Sequence, residues 1–223
     1  MKKLMESWKR FLQEGIDPRI QKQIDALLAK PDAAIKIVGQ MGSDRKRTNV
    51  KVVYIRMKED GTYEETGTGE QDAGYPFGNI RAMETNPSAG DCMGALEVNM
   101  SQATKGWGPL LYELVLEWAS QNAGGLVSDR VSVSSDATQV WQKYSQRSDV
   151  DADQMDLTNM NTKEFRLDQL TPDDESDDCE QESAYDANRE EWWRSPLSRA
   201  YKKKTFEVTQ ALEKAGRLVR EDK

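Results

Sequence analysis

The chain has 223 residues, of which 37% are hydrophobic, and its mean hydropathy is −0.82. That suits one medium domain with extensions, or one and a half domains, with a core in the middle and solvated tail or loop elsewhere. The net charge of −8, from 31 Lys+Arg against 39 Asp+Glu, ill suits nonspecific nucleic-acid binding, and the absence of histidine excludes His-based triads and most catalytic metal sites.

No apolar run approaches the roughly 18 residues that span a membrane. The opening MKKLMESWKRFLQE is amphipathic, unlike the unbroken apolar stretch of a signal peptide. An intracellular, cytoplasmic protein is expected. The two cysteines, Cys92 and Cys179, are far apart and predict neither a disulfide framework nor a zinc cluster.

In chain order, residues 1–14 read as a helix with Leu4, Met5, Trp8, Phe11 and Leu12 on one stripe. That stripe suits either packing on the chain's own domain or docking to a partner. Pro18 starts a second helix with Ile20, Ile24, Leu27 and Leu28 inward. Ala34 to Gln40 and Val50 to Met57 read as strands rich in Val and Ile. Between them Arg45, Lys46 and Arg47 form a basic patch, either a solvated turn or a contact for phosphates or an acidic partner. Residues 58–76 read as a turn and a mobile loop, and Gly67-Thr68-Gly69 lacks the Lys-Ser/Thr and the helix of a phosphate loop. Phe77 to Glu84 is a further strand, followed by a turn at Asn86-Pro87.

The organising stretch runs from Gly94 to Ala123. Leu96, Val98 and Met100 alternate with Glu97 and Asn99, the period of a half-buried strand with the first three facing a core. A polar loop ends in Gly106-Trp107-Gly108, and Pro109 opens a helix apolar on more than one side, through Leu110, Leu111, Leu114, Val115, Leu116, Trp118 and Ala119. A strand, a glycine loop and a helix start form an anion site, because first-turn N–H groups lack partners within the helix and glycine lets a phosphate approach the backbone. Lys105 adds a charge at the rim, and the ligand implied is a phosphorylated cofactor.

Gly124-Gly125 stops the helix. Leu126 to Arg130 reads as a short strand, and Ser134 or Ser135 caps a helix with Val140, Trp141 and Tyr144 inward. Val150 to Leu157 reads as the next strand, and this alternation indicates a mixed α/β sheet. TPDDESDDCEQES, residues 171–183, reads as a solvated acidic loop, without the Gly and terminal Glu of a calcium loop. Trp192, Trp193, Tyr201, Phe206, Val208, Leu212 and Leu218 mark a segment that folds back on the domain or grips a partner, with a helix over 205–215 and Gly216 as its cap.

Ala103 to Gly108 resembles motif A of the GNAT acyltransferases, R/Q-x-x-G-x-G/A, whose amides grip the pyrophosphate of acetyl-CoA. Ala137-Thr138-Gln139-Val140-Trp141-Gln142-Lys143 is similar to the family's A-x-x-L-Y-x-K helix. The resemblance covers about the middle half of the chain, with two departures. Ala103 replaces an Arg or Gln, and Trp141 stands where many members carry an acid tyrosine. It implies a mixed, mostly antiparallel central sheet flanked by helices, in a core over 32–158 with an N-terminal helical segment over 1–31 and an acidic, Trp-rich extension over 159–223. It implies acetyl-CoA or another acyl-CoA as cofactor, held by Lys105, Gly106, Trp107 and Gly108, with backbone amides near Met100 polarising the thioester carbonyl.

Glu97 is the candidate base, or an ordinary strand residue, and Asn99 can orient substrate. Tyr144, one turn after Trp141, is the candidate acid, or a core tyrosine. Cys92 has no histidine to activate it as a nucleophile. The acceptor is an amine on a protein or small molecule, and the negative charge favours a cationic one. The opening MKKLMESWKRFL also resembles bacteriophage proteins, which implies a phage-encoded member acting in host cytoplasm. The alternative is a non-catalytic binding or structural module of the same fold, working through residues 1–14 or the C-terminal tail.

Overall fold

The computed structural model describes residues 16–43, 47–66, 75–157 and 169–222. The expected helix over 1–14, Arg45, Lys46 and Gly67-Thr68-Gly69 lie outside the described residues. The elements are α1 (Pro18–Leu28), β1 (Ala33–Gln40), β2 (Asn49–Met57), β3 (Tyr63–Glu65), β4 (Gly78–Glu84), β5 (Leu96–Ala103), α2 (Gly108–Asn122) and β6 (Leu126–Val127). They continue as α3 (Ser135–Tyr144), β7 (Val150–Gln154), β8 (Asp156–Leu157), β9 (Asp178–Cys179), α4 (Glu182–Ala187), β10 (Arg199–Lys203), α5 (Glu207–Lys214) and β11 (Leu218–Asp222). The main sheet has the order β11-β1-β2-β4-β5-β6-β10-β7, with β3 also on β2 and a separate β8–β9 pair. Only β1–β11 and β5–β6 in the main sheet are parallel. This is the mixed, mostly antiparallel α/β arrangement read from the sequence, consistent with a GNAT-like fold.

The local signals act as expected. Asp17 caps α1 ahead of Pro18, with its carboxylate accepting from the Arg19 N–H, and Ile20, Ile24 and Leu27 are buried. Ser134 caps α3 and accepts from the Ala137 N–H. In α2 all ten residues from Leu110 to Ala119 are buried, because the helix packs on β2, β4, β5, β6 and β10 while α1 and α5 cover it. Gly124 follows it, where any Cβ would meet the Met93 carbonyl oxygen at 1.8 Å, so only glycine lets the chain enter β6 there.

The described chain after residue 168 sends two strands into the main sheet. β10 lies antiparallel between β6 and β7, and β11 runs parallel along β1. The acidic segment also differs from a solvated loop. Asp173 to Ser176 are exposed, but Asp177, Cys179, Gln181 and Ser183 are buried. Asp156 is fully buried and its carboxylate accepts the Leu170 and Thr171 N–H groups at 2.8 and 2.9 Å, anchoring the segment. Asp156, Asp177 and Asp178 place carboxylate oxygens within 4.8 Å of one another, with the Thr171 hydroxyl bonded to the first two.

Three further expectations are corrected. Cys92 and Cys179 form a disulfide across 87 residues, in a small cluster with Ala95, Val127, Met155 and Ala200; sequence distance hid a spatial contact. The strand expected over 126–130 ends at Val127, because the Arg130 guanidinium turns back to the Ser128 carbonyl at 2.8 Å. That over 150–157 breaks at Met155, where β8 leaves the main sheet to pair with β9.

α2 carries two buried acids, Glu113 and Glu117, that meet the fully buried Lys203 of β10 at 2.7 and 2.6 Å. Glu117 also accepts the Val208 and Thr209 N–H groups that open α5, at 3.1 and 2.8 Å. Arg147 closes the network on Glu113 at 2.6 Å. Removing one partner from a buried ion cluster strands the other charges. Lys203→Met is expected to cost about 3–5 kcal/mol, as a lowered denaturant midpoint at unchanged slope. The paired Cys92→Ala, Cys179→Ala variant frees an 87-residue loop and should cost about 4 kcal/mol in the same measurement.

Candidate functional site

The parallel ladder between β5 and β6 has two rungs, Leu96–Leu126 and Glu97–Val127. β5 then continues to Ala103 with no strand on that side among the described residues, so the two strands part. Beside this gap lies a groove of about 780 Å³. Ser101, Gln102 and Ala103 of β5 line it, followed by Lys105, Gly106 and Gly108 of the glycine loop. Leu111 and Tyr112 of α2 contribute next, as do Asp136, Gln139, Val140 and Lys143 of α3, with Asn79 and Ile80 of β4 beside β5. The motif-like segments around Gly106 and Lys143, far apart in sequence, thus face one groove.

The loop is held from behind. Gly106 has φ +89° and open space where a Cβ would stand. Trp107 packs its ring edge-on to Tyr54 at 5.6 Å, and the Tyr54 hydroxyl donates to the Trp107 carbonyl at 2.8 Å. Trp107 therefore does not line the groove. From α1, the Gln23 amide donates to the Gly106 carbonyl and accepts from the Leu110 N–H at 2.8 Å. One first-turn donor is thus already taken, and Pro109 has none to offer. Gly108, at the start of the helix dipole, lines the groove directly.

Met100 departs from expectation. A bulge between Arg81 and Ala82 leaves Asn99 without a partner on β4, which shifts the alternation, and Met100 is 36% exposed instead of core-facing. Asn99, Ser101 and Gln102 are exposed beside it.

Glu97 is half-buried and accepts the Arg130 N–H at 3.0 Å. Burial raises its pKa, while the Arg130 N–H and charge lower it. Glu97 lies at the apex of the gap and outside the groove lining. Tyr144 is 4% exposed, and its hydroxyl has no hydrogen-bond partner among the described residues. It lines a separate cavity of about 40 Å³ with Glu113 and Arg147, and burial raises its pKa well above that of free tyrosine. Trp141 is buried and stacks on Tyr201 at 5.5 Å. Cys92, closed in the disulfide, is no nucleophile.

The sequence reading missed Gln23, Ser101 and Tyr112. Gln23 lies beside the apolar stripe of α1 and gives no signal of its own. Tyr112 sits in an apolar run where its hydroxyl was the available hint, since a buried phenol needs a partner. That partner is the Ser101 hydroxyl, 2.9 Å away.

Gln23→Ala should free the Leu110 N–H and loosen the glycine loop. Faster hydrogen exchange at Leu110 and a stability loss of about 1 kcal/mol are expected.

No family model matches this chain, no curated protein matches it, and no solved structure matches it.

Proposed function

We propose that this chain is an acyl-CoA-dependent N-acyltransferase that passes an acyl group, acetyl in the simplest case, directly to an amine in a ternary complex. The observation that carries this reading is the groove beside the gap between β5 and β6, with a glycine loop and a helix start on its lining. Phosphates fit Gly106 and Gly108, where donors and the positive end of α2 coincide, and Lys105 and Lys143 supply charge on the same groove. Lys143 stands in for the cation that Ala103 lacks. A thioester running from there along β5 would bring its carbonyl to the backbone near Met100.

Glu97 is the base of this reading, acting directly or through a water. The acceptor is an amine on a protein or small molecule, cationic by preference for an acidic chain. Among the described residues no helix is long and apolar enough to cross a membrane. A cytoplasmic setting belongs to the proposal, and the Cys92–Cys179 disulfide is the feature that weighs against it.

A second reading, a non-catalytic module of the same fold, draws on Ala103, Trp141 and the Leu110 N–H already taken by Gln23. Against it, Trp107 is turned onto Tyr54, and the C-terminal chain enters the sheet as β10 instead of filling the groove.

Calorimetric titration with acetyl-CoA tests both readings. Gly108→Glu is the informative variant. Its Cβ would meet only the Ala103 Cβ at 3.8 Å, and a carboxylate at a helix start is stabilising, so the variant folds while repelling a phosphate. Binding by the intact protein, weakened at least about tenfold, or ~1.4 kcal/mol, in Gly108→Glu, is expected. A folded intact protein that binds no acetyl-CoA sinks the enzyme reading and leaves the module.

A further inference from the structure

Acyl transfer from a thioester releases a thiolate, which needs a proton or a strong hydrogen bond as it leaves. Trp141 cannot supply one, because its indole is a donor without a usable pKa. Tyr144 has a hydroxyl, but it lines the small cavity with Arg147 and not the groove. We propose that Tyr112 is the proton donor to the leaving sulfur and that Ser101 is its positioning residue. This rests on the acyltransferase reading above.

Three observations place Tyr112 there. First, it lines the groove, and of the titratable side chains that do, Lys105 and Asp136 belong to the glycine loop and the start of α3. Lys143 is in the last turn of α3. Only Tyr112 is tied to the strand that would carry the thioester. Second, the tie is specific: the Tyr112 hydroxyl bonds the Ser101 hydroxyl at 2.9 Å, and Ser101 follows Met100, the expected carbonyl contact. Third, the Tyr112 ring stands edge-on to Trp141 at 6.0 Å. The phenol absent from position 141 is thereby offered from α2, against the residue that replaced it. Trp141 and Tyr112 together fill the role of a single tyrosine, one as packing and the other as acid.

The balance is simple. The neutral amine nitrogen forms a bond to the thioester carbonyl carbon, and the C–S bond breaks. The sulfur takes the phenolic proton of Tyr112. The nitrogen loses one proton to Glu97, directly or through a water, and Glu97 passes it to solvent, while a solvent proton returns to the phenolate through the exposed Ser101 hydroxyl. The sum is amine plus thioester giving amide plus thiol. Burial raises the Tyr112 pKa, so the phenol is protonated at neutral pH.

The test combines acetyl-CoA titration with thiol release, using hydroxylamine as an amine small enough to reach any thioester in the groove. The chain's two cysteines are closed in a disulfide, so a chromogenic thiol reagent sees no protein thiol, and the thiol that hydroxylamine releases in the absence of protein is subtracted. Tyr112→Phe keeps the ring against Trp141. It is expected to hold the dissociation constant and KM within about twofold while lowering kcat by about 100-fold or more. Ser101→Ala should lower kcat less, again at constant KM, and Ser101→Thr should restore it, which a merely structural serine would not show. Unchanged kcat in Tyr112→Phe overturns the assignment while leaving the acyltransferase reading intact, as does a loss confined to Tyr144→Phe. Binding without thiol release by the intact protein overturns the assignment and favours the module. No binding at all overturns both readings.

Discussion

Lys203 is the point on which the rest of the architecture depends. Its ammonium is fully buried between Glu113 and Glu117, on successive turns of the helix that packs across β2, β4, β5, β6 and β10. Burial alone disfavours the charge, but the two carboxylates more than reverse this and hold the Lys203 pKa above its ordinary value. The cluster fixes three things at once. It sets β10 against α2. It starts α5, whose first N–H groups end on Glu117. Through Glu113 it holds Arg147, which follows α3 and bonds Asp149 just before β7. A buried ion cluster is seldom a large net stabiliser, because desolvation cancels much of the Coulombic gain. Its effect here is specificity: Lys203 has one place to go, and that place dictates where the last quarter of the chain enters the sheet.

This explains which parts of the fold were legible in the sequence. Elements built on local signals read correctly, among them α1 behind Asp17-Pro18, β1 and β2 from their Val and Ile, and α3 from Ser134. Apolar residues and caps announce themselves within a few positions. The C-terminal chain did not, because what orders it lies elsewhere. Lys203 reads as one charge in the run Lys202-Lys203-Lys204, and only a carboxylate some 86 residues away marks it as buried. Glu113 and Glu117 hid in turn behind the leucines of α2. The acidic segment misled for the same reason, since Asp156 and the Cys92–Cys179 bond tie it down from a distance.

The site divides along the same line. The glycine loop and helix start are contiguous, so the sequence shows them, as it shows the α3 segment ending in Lys143. What the sequence cannot show is how they are braced. The loop is fixed by Gln23 from α1 and by Tyr54 from β2, 83 and 53 residues from their partners Gly106 and Trp107. The bulge at Asn99 breaks an alternation that looked regular through Met100. One irregular residue turns Met100 from core to surface, and no propensity marks it in advance.

Trp141 shows how a departure from a motif can have a structural cause. Its ring stacks on Tyr201 at an interplanar angle of 28° and meets Tyr144 and Tyr112 edge-on. Tyr201 donates to the Pro196 carbonyl at 2.6 Å, and it belongs to β10, the strand that Lys203 anchors. A large, rigid aromatic at position 141 therefore pins α3 to the inserted strand. That matters for the groove, because α3 forms one side of it and β5 the other. β6, with its two rungs, is too short to hold that separation. A tyrosine at position 141 would keep a hydroxyl but lose indole contact area with Tyr201. Here the position is given to packing, and the open groove is what that packing maintains.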